Sequence, residues 1–391
     1  MYIPQYQLSN LQELVGPNKV VLVYGPRRTG KTTLLEHFIQ ALSEPYHLVN
    51  GEDFFIQQVL SSQSIDKLRN FVGQKKWLII DEAQKIPAIG LNLKLIVDHI
   101  PDIRVIATGS SSFDLASQVG EPLTGRKWTL RLFPLAQMEL AQKENVAETA
   151  ARLESRLIYG SYPEVVLSQD DQLRQRYLKE IISSYLYKDI LELEGLRHSD
   201  KLVRLLQLLA FQIGKEVSFT ELGTQLDLNK KTVDRYLDLL EKAFVIYKLR
   251  GFSRNLRKEV SKNSRYFFYD IGIRNALIQN FNPLNLRNDT GELWENYLVM
   301  ERLKKQEYTG MSCTNYFWRT YDKKKVDWIE EREGRLFAYE FKWNPLAKVT
   351  PPNDFIKAYS NAHFERVDLE NYLKFITYEK KVCVAQDGML N

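Results

Sequence analysis

The stretch Val21-Leu22-Val23-Tyr24-Gly25-Pro26-Arg27-Arg28-Thr29-Gly30-Lys31-Thr32-Thr33-Leu34-Leu35 constrains the fold more than any other part of the 391-residue chain. A short apolar run, a loop bracketed by two glycines and an amphipathic continuation read as strand, turn and helix. Such a loop turns its backbone N–H groups inward, and the helix N-terminus after it favours anions. The segment Gly25, Pro26, Arg27, Arg28, Thr29, Gly30, Lys31, Thr32 and Thr33 is therefore expected to cradle a phosphate chain. Lys31 then reaches the outer phosphates, and Thr32 offers its hydroxyl to Mg²⁺.

A phosphate cradle needs an acidic strand end beside it. The run Trp77-Leu78-Ile79-Ile80 leads into Asp81-Glu82, where Asp81 is expected to hold Mg²⁺ through water and Glu82 to activate the attacking water. A third apolar strand ends in Thr108-Gly109-Ser110, which places the Thr108 hydroxyl to sense the γ-phosphate. Adenine is preferred over guanine, because the only suggestive Asn-Lys pair, Asn229-Lys230, lacks the acid that reads guanine. The cofactors expected are ATP and Mg²⁺.

A 391-residue chain with 44% hydrophobic content can bury a large core, and its length suggests two or three domains. No apolar run has the length of a membrane span, and the N-terminal Met1-Tyr2-Ile3-Pro4-Gln5 lacks the pattern of a leader, so a cytoplasmic location without membrane contact is expected. Cys313 and Cys383 lie in separate contexts without metal-ligand spacing, which argues against a disulfide framework or a zinc site. The net charge is +5, yet residues 197–262 hold 14 Lys and Arg against 8 Asp and Glu, so the basic excess belongs to that segment.

Strands and helices alternate from about Val20 to about Leu140, the pattern of a parallel sheet covered on both faces. Within the basic segment, a helix stopped by Gly214, a short helix capped by Ser218 and a third capped by Asn229 precede strand, basic turn and strand. This is a winged-helix pattern. On DNA it would present Lys230, Lys231, Thr232 and Arg235 to the major groove and Lys248, Arg250, Arg254, Arg257 and Lys258 to phosphates. The same fold also serves as a packing module between domains.

Further on, a helix carries Glu295, and residues 323–345 read as a β-hairpin. A tight turn at Glu333-Gly334 pairs Asp327 with Glu340 and brings Lys342 to the same face, with Val326, Trp328, Phe341 and Trp343 on the apolar side. An acid on one strand and Glu-x-Lys on the next is the arrangement of the PD-(D/E)xK nucleases. There the carboxylates bind a divalent metal and the lysine orients or polarises water.

The landmarks GPRRTGKTTLL, LIIDEAQKIP, ATGSSSFDL, LTGRKWTLRLFPLAQMEL, YGSYPEVV, YDIGIRNAL, ELWENYLVMERL and VDWIEEREGRLFAYEFKW recur in one order along nearly the full chain. In this succession the chain resembles the bacterial and archaeal AAA-like P-loop ATPases with a C-terminal domain of unknown function. The resemblance implies an α/β fold class: a P-loop parallel-sheet ATPase domain over residues 1–145, a helical and winged-helix domain over 146–262, and a restriction-endonuclease-like domain over 263–391. It assigns nucleotide roles to Lys31, Thr32, Asp81, Glu82 and Thr108, and places Glu295, Asp327, Glu340 and Lys342 at nuclease-like positions, with the three carboxylates around a second metal. Members commonly show Glu-Val-Asp where this chain has Lys325-Val326-Asp327. Arg126 falls at a position suited to an arginine finger or sensor, or to a structural salt bridge.

Three functions are open at this point. One is ATP hydrolysis that rearranges the domains, on DNA as the candidate partner; another is an ATP-gated DNA-binding or signalling module with an inactive nuclease-like domain; the third is an ATP-regulated, metal-dependent nuclease. The intact Asp81-Glu82 pair favours hydrolysis, since a pure binding switch does not need the base.

Overall fold

The computed structural model describes residues 2–110, 123–186, 199–253, 264–320 and 324–377. The protein is a mixed α/β structure built on two sheets. The first contains β1 (Lys19–Tyr24), β2 (Tyr46–Asn50), β3 (Trp77–Asp81), β4 (Arg104–Gly109) and β5 (Lys127–Arg131) in the order β2-β3-β4-β1-β5. All neighbours are parallel. The apolar runs of β1, β3 and β4 follow from burial on both faces. Val20 and Leu22 pack with Ile80 and Val105 on one side, while Val21 and Val23 pack with Ile79 and Ile106 on the other. Parallel pairing brings the C-terminal ends of β1, β3 and β4 to one rim, where a loop–helix junction can meet an acid pair.

The helix Val146–Tyr159 ends at Gly160, whose φ of 77° suits glycine. A Cβ there would lie 2.1 Å from Asp270 Oδ1. Asp270 in turn accepts from Ser161 N at 2.7 Å and caps the helix Ile271–Leu277 by accepting from Ile273 N at 3.2 Å. Asn275 donates to the carbonyls of Leu157 and Ile158 at 3.1 and 2.8 Å, satisfying acceptors that the end of the first helix leaves open. The YGSYPEVV and YDIGIRNAL stretches are thus two halves of one junction.

Between them lie the helix Ser199–Phe211, β6 (Glu216–Val217), the helices Phe219–Leu226 and Lys230–Lys242, β7 (Ile246–Gly251) and β8 (Ser264–Phe268). Ser218 and Asn229 cap their helices by accepting from Glu221 N and Thr232 N at 3.3 and 2.8 Å. β8 pairs antiparallel with both β6 and β7. A domain division at 262/263 would therefore cut a hydrogen-bonded strand pair.

β7 also runs parallel to β9 (Thr314–Arg319), which pairs with β10 (Lys325–Arg332), then β11 (Arg335–Phe341) and β12 (His363–Val367). The second sheet therefore has seven strands in the order β12-β11-β10-β9-β7-β8-β6. The β10–β11 hairpin turns at Glu333 (φ 51°) and Gly334 (φ 71°), as its sequence requires. Trp328 lies opposite Tyr339, the register expected from the turn. The apolar side differs from expectation. The pairing of β10 with β9 shifts register between Val326 and Ile329. Val326 consequently packs with Ile329, Trp318 and Phe355, while Trp328 packs with Phe341 and Trp294. A bulge breaks the alternation that the sequence implied.

The helix Thr290–Tyr308 ties the two sheets together. Glu301 accepts from Gln137 N at 2.5 Å and from Lys304 Nζ at 2.6 Å, and Lys304 also donates to Leu135 O at 3.1 Å. On the same helix Arg302 makes a two-pronged contact with Glu330 of β10, Nε to Oε1 at 2.5 Å and Nη2 to Oε2 at 2.8 Å, both side chains being buried. Removing only the cation strands a buried carboxylate. Arg302→Met is expected to lower stability by about 3–5 kcal/mol in chemical denaturation. Arg302→Met/Glu330→Gln is expected to recover part of that loss, because the amide oxygen still accepts from Trp328 and Gln306.

Candidate functional site

The loop between β1 and the helix Lys31–Gln40 lies at the rim of the first sheet. Gly25 passes so close to the next strand's exit that a Cβ would sit 1.8 Å from Leu132 O. Thr29 Oγ1 donates to Pro26 O at 2.9 Å, and Gln5 from the N-terminal segment donates to Thr29 O at 3.0 Å, so the loop is held from both sides. Lys31 Nζ points back into the loop, donating to the carbonyls of Gly25 at 3.0 Å and Pro26 at 2.8 Å. Arg28, with φ 61°, leaves the loop and places its guanidinium 5.5 Å from the ring centre of Tyr177 on the helix Asp171–Ile181.

The acid pair meets this loop directly. Thr32 Oγ1 donates to Asp81 Oδ2 at 2.7 Å, while Thr108 Oγ1 donates to Asp81 Oδ1 and accepts from Glu82 N at 3.1 Å. One chain of hydrogen bonds thus joins the helix start, the end of β3 and the end of β4. A hydroxyl and a carboxylate side by side at a helix N-terminus match what a phosphate-bound Mg²⁺ takes, one protein hydroxyl and one carboxylate. Glu82 turns out of β3 in the left-handed conformation, φ 51°, which an L-residue adopts at a cost and which aims its side chain away from the strand. Gln84 donates to Glu82 Oε2 at 2.6 Å and to Ser110 Oγ at 3.0 Å.

Burial pushes the Lys31 ammonium down to about 8, with the Glu82 and Asp81 carboxylates opposing the shift. The site has gathered negative charge around a cation that is short of water.

The expected residues Gly25 to Thr33, Asp81, Glu82 and Thr108 therefore converge. Arg126 does not. It precedes β5 at the opposite end of the sheet, where its carbonyl accepts from Val20 N at 2.9 Å and its guanidinium meets Asp98 Oδ1 at 2.5 Å. Within its own chain Arg126 is a salt-bridge residue, held from the phosphate rim by the length of β1.

In the basic segment, Lys230, Lys231 and Arg235 are exposed on the helix Lys230–Lys242, and Arg250 is exposed on β7. Lys248 is half-buried, its ammonium 5.7 Å from the ring centre of Phe219. Arg254, Arg257, Lys258 and Cys383 lie outside the described residues. Burial pushes the Cys313 thiol up to about 11, which suits a structural thiol.

The C-terminal residues gather together with several cations. Asp327 and Glu340 are buried, Phe341 N donates to Asp327 Oδ2 at 3.2 Å, and Lys342 meets Glu340 Oε1 at 2.7 Å. Arg265 of β8, unforeseen in the sequence, is buried between Glu295, with which it is ion-paired, and Asp327, 3.8 Å from Oδ1. Lys325 adds a second cation 2.7 Å from Asp327 Oδ1. Among the described residues no group of three His, Cys, Asp or Glu side chains is placed to hold one metal ion. As placed, Glu295 pairs with Arg265, Asp327 with Lys325 and Glu340 with Lys342. Burial pushes Glu295 up to about 7 even against the Arg265 charge. Of these three cations Arg265 is buried, while Lys325 and Lys342 reach solvent.

In comparisons with known proteins, three successive stretches of the chain match family models. Residues 17–141 match the model of an AAA domain, and residues 150–284 and 290–381 match models of two domains of unknown function, DUF8612 and DUF4143. The second match runs through both β7 and β8. A protein of Mycobacterium tuberculosis is 28% identical over 328 residues, covering 83% of this chain and 70% of its own. One of Haemophilus influenzae is 27% identical, covering 69% and 72%, and one of Methanocaldococcus jannaschii is 25% identical, covering 93% and 82%. All three are described as uncharacterized. A STAND signal-transduction ATPase with a tetratricopeptide repeat sensor from Pyrococcus horikoshii is 17% identical over 78% of this chain and 46% of its own, with a TM-score of 0.30, below that of a shared overall fold.

The depressed Lys31 ammonium has a thermodynamic consequence. A bound polyphosphate favours the charged lysine, so ATP binding is expected to take up a proton, with uptake increasing as pH rises from 7 through about 8. Titration calorimetry in buffers of different ionisation enthalpy measures it, and Lys31→Arg, always charged, should abolish the uptake. The cradle formed by Gly25–Thr32 beside Asp81 and Thr108, together with the match over residues 17–141, identifies the N-terminal part of the chain as an AAA-like P-loop domain.

Proposed function

We propose that the protein binds Mg-ATP in the Gly25–Thr33 loop, hydrolyses it with Glu82, and uses the cycle to move a winged-helix region that contacts DNA. The observation that carries the reading is the hydrogen-bond chain Thr32–Asp81–Thr108–Glu82, which links the loop, the carboxylate that would hold the metal and, through Thr108, the backbone N–H of the residue that would activate water. Thr32 and Asp81 would hold Mg²⁺, which when bound neutralises phosphate charge. Lys31 exchanges its loop carbonyls for phosphate oxygens. Glu82 accepts the proton of the attacking water.

Two contacts support transmission to the middle region. Arg28 of the loop lies over Tyr177. Tyr24, the last residue before the loop, packs 6.4 Å centre to centre from Phe244, which joins the helix Lys230–Lys242 to β7 and belongs to the core of the first sheet. A change in loop geometry is therefore felt at the base of the helix that carries Lys230, Lys231 and Arg235. The helix–strand–helix–helix–strand–strand order, with β8 between β6 and β7, supports a winged helix. The ion-paired Glu295, Asp327 and Glu340 favour a C-terminal region that serves as scaffold rather than as metal-dependent nuclease.

Lys31→Ala is expected to weaken ATP binding severely, whereas Glu82→Gln should bind Mg-ATP normally and lose at least a hundredfold in kcat. Equilibrium binding and steady-state turnover read the two effects separately, and plasmid DNA incubated with Mn²⁺ should stay intact. Hydrolysis by the Gln variant at the parent rate removes Glu82 from its role.

DNA affinity is expected to fall steeply with salt, and Lys230→Ala/Lys231→Ala/Arg235→Ala is expected to flatten the slope of log K against log salt by up to about three. Salt-independent binding, or none, returns the winged helix to a packing role.

A further inference from the structure

We infer that Gln84 is a positioning residue for ATP hydrolysis, holding the Glu82 carboxylate in the orientation from which it takes the proton of the attacking water. The inference rests on the reading of Glu82 as the water-activating group and adds a residue to it. Gln84 is buried at 8% exposure on the one-turn helix Ala83–Lys85 that follows Glu82, and its Nε2 lies 2.6 Å from Glu82 Oε2 and 3.0 Å from Ser110 Oγ. A carboxylate only accepts, so the amide nitrogen and not the oxygen must face Glu82. Its second proton goes to Ser110, two residues beyond Thr108 at the end of β4. The amide is thereby fixed from the strand that already holds Asp81 and the Glu82 backbone through Thr108.

This clamp has a geometric reason. Glu82 leaves β3 with φ 51°, so its side chain is not aligned by the pleat of the strand and has torsional freedom along its length. The bond from Gln84 engages one carboxylate oxygen and leaves the other for the water. In hydrolysis the water oxygen bonds to the γ-phosphorus, the bond to the β-phosphate oxygen breaks with its electron pair leaving on ADP, and the water's proton passes to Glu82 and then to solvent. Misplacement of the accepting oxygen by an ångström costs rate without costing affinity.

The test uses the full chain with Gln84→Met, which keeps the length and loses the donors, Gln84→Glu, which sets a second carboxylate against Glu82, Ser110→Ala, and Glu82→Gln as reference. Expected results are a kcat reduced about tenfold or more in Gln84→Met with ATP affinity within about twofold of the parent, and a smaller loss in Ser110→Ala. In Gln84→Glu the like charge turns the Glu82 carboxylate away, so kcat is expected to fall at least as far as in Gln84→Met with ATP affinity again near that of the parent, a split of rate from affinity that loss of folding does not produce. Gln84→Met or Gln84→Glu turning over at the parent rate overturns the inference while Glu82→Gln remains inactive. A fully active Glu82→Gln overturns the underlying reading of Glu82 as well.

Discussion

The buried polar seam between the helix Thr290–Tyr308 and the segment after β5 is the constraint on which the arrangement of the two sheets depends. Glu301 and Lys304 reach backbone groups of Gln137 and Leu135, Tyr297 donates to Gln137 Oε1 at 3.1 Å, and Arg156 pairs with Glu144 while bonding the same glutamine oxygen at 2.5 Å. Buried charges of this kind are costly unless each is paired, so the seam tolerates one alignment and resists sliding. Glu139 completes it by accepting from Ala136 N and Tyr6 N, and burial pushes its carboxyl up to about 7. The AAA-like domain and the C-terminal helix are joined through specific polar geometry rather than by apolar area alone.

A row of aromatic rings runs beside this seam. Phe244 contacts Tyr24 and, edge-on at 5.6 Å, Tyr269, which stacks on Phe133 at 5.8 Å. The rings lead from the start of the phosphate loop, through the root of the Lys230–Lys242 helix, to the exit of β5. Aromatic contacts have preferred offsets, so these rings fix how the elements that carry them pack on one another.

In the C-terminal cleft around Asp327 and Glu340 the charges come from elements far apart in sequence. The two-residue turn at Glu333-Gly334 fixes the hairpin register from Arg332–Arg335 up to Trp328–Tyr339, and Asp327 beyond it accepts from Phe341 N. The electrostatics were set elsewhere. Arg265 comes from β8, a strand that belongs by its pairing with β6 and β7 to the preceding region, and it reaches this cleft because β7 pairs with β9 and fuses the strands into one sheet.

The sequence by itself determined the strand–loop–helix of the phosphate cradle, the acid pair at the end of β3, the caps at Ser218 and Asn229, and the register of the β10–β11 hairpin. Each of these is governed by backbone geometry within a few residues, where glycine, capping side chains and alternation act directly. Only the tertiary structure decided that Arg126 faces Asp98 at the far end of the sheet, that a bulge separates Val326 from Trp328, that Gln84 bonds both Glu82 and Ser110, and that Arg265 pairs with Glu295 and lies beside the Asp327 carboxylate, 30 and 62 residues away. Those outcomes depend on which side chains and strands meet when segments distant in sequence pack together, a condition that no local pattern encodes.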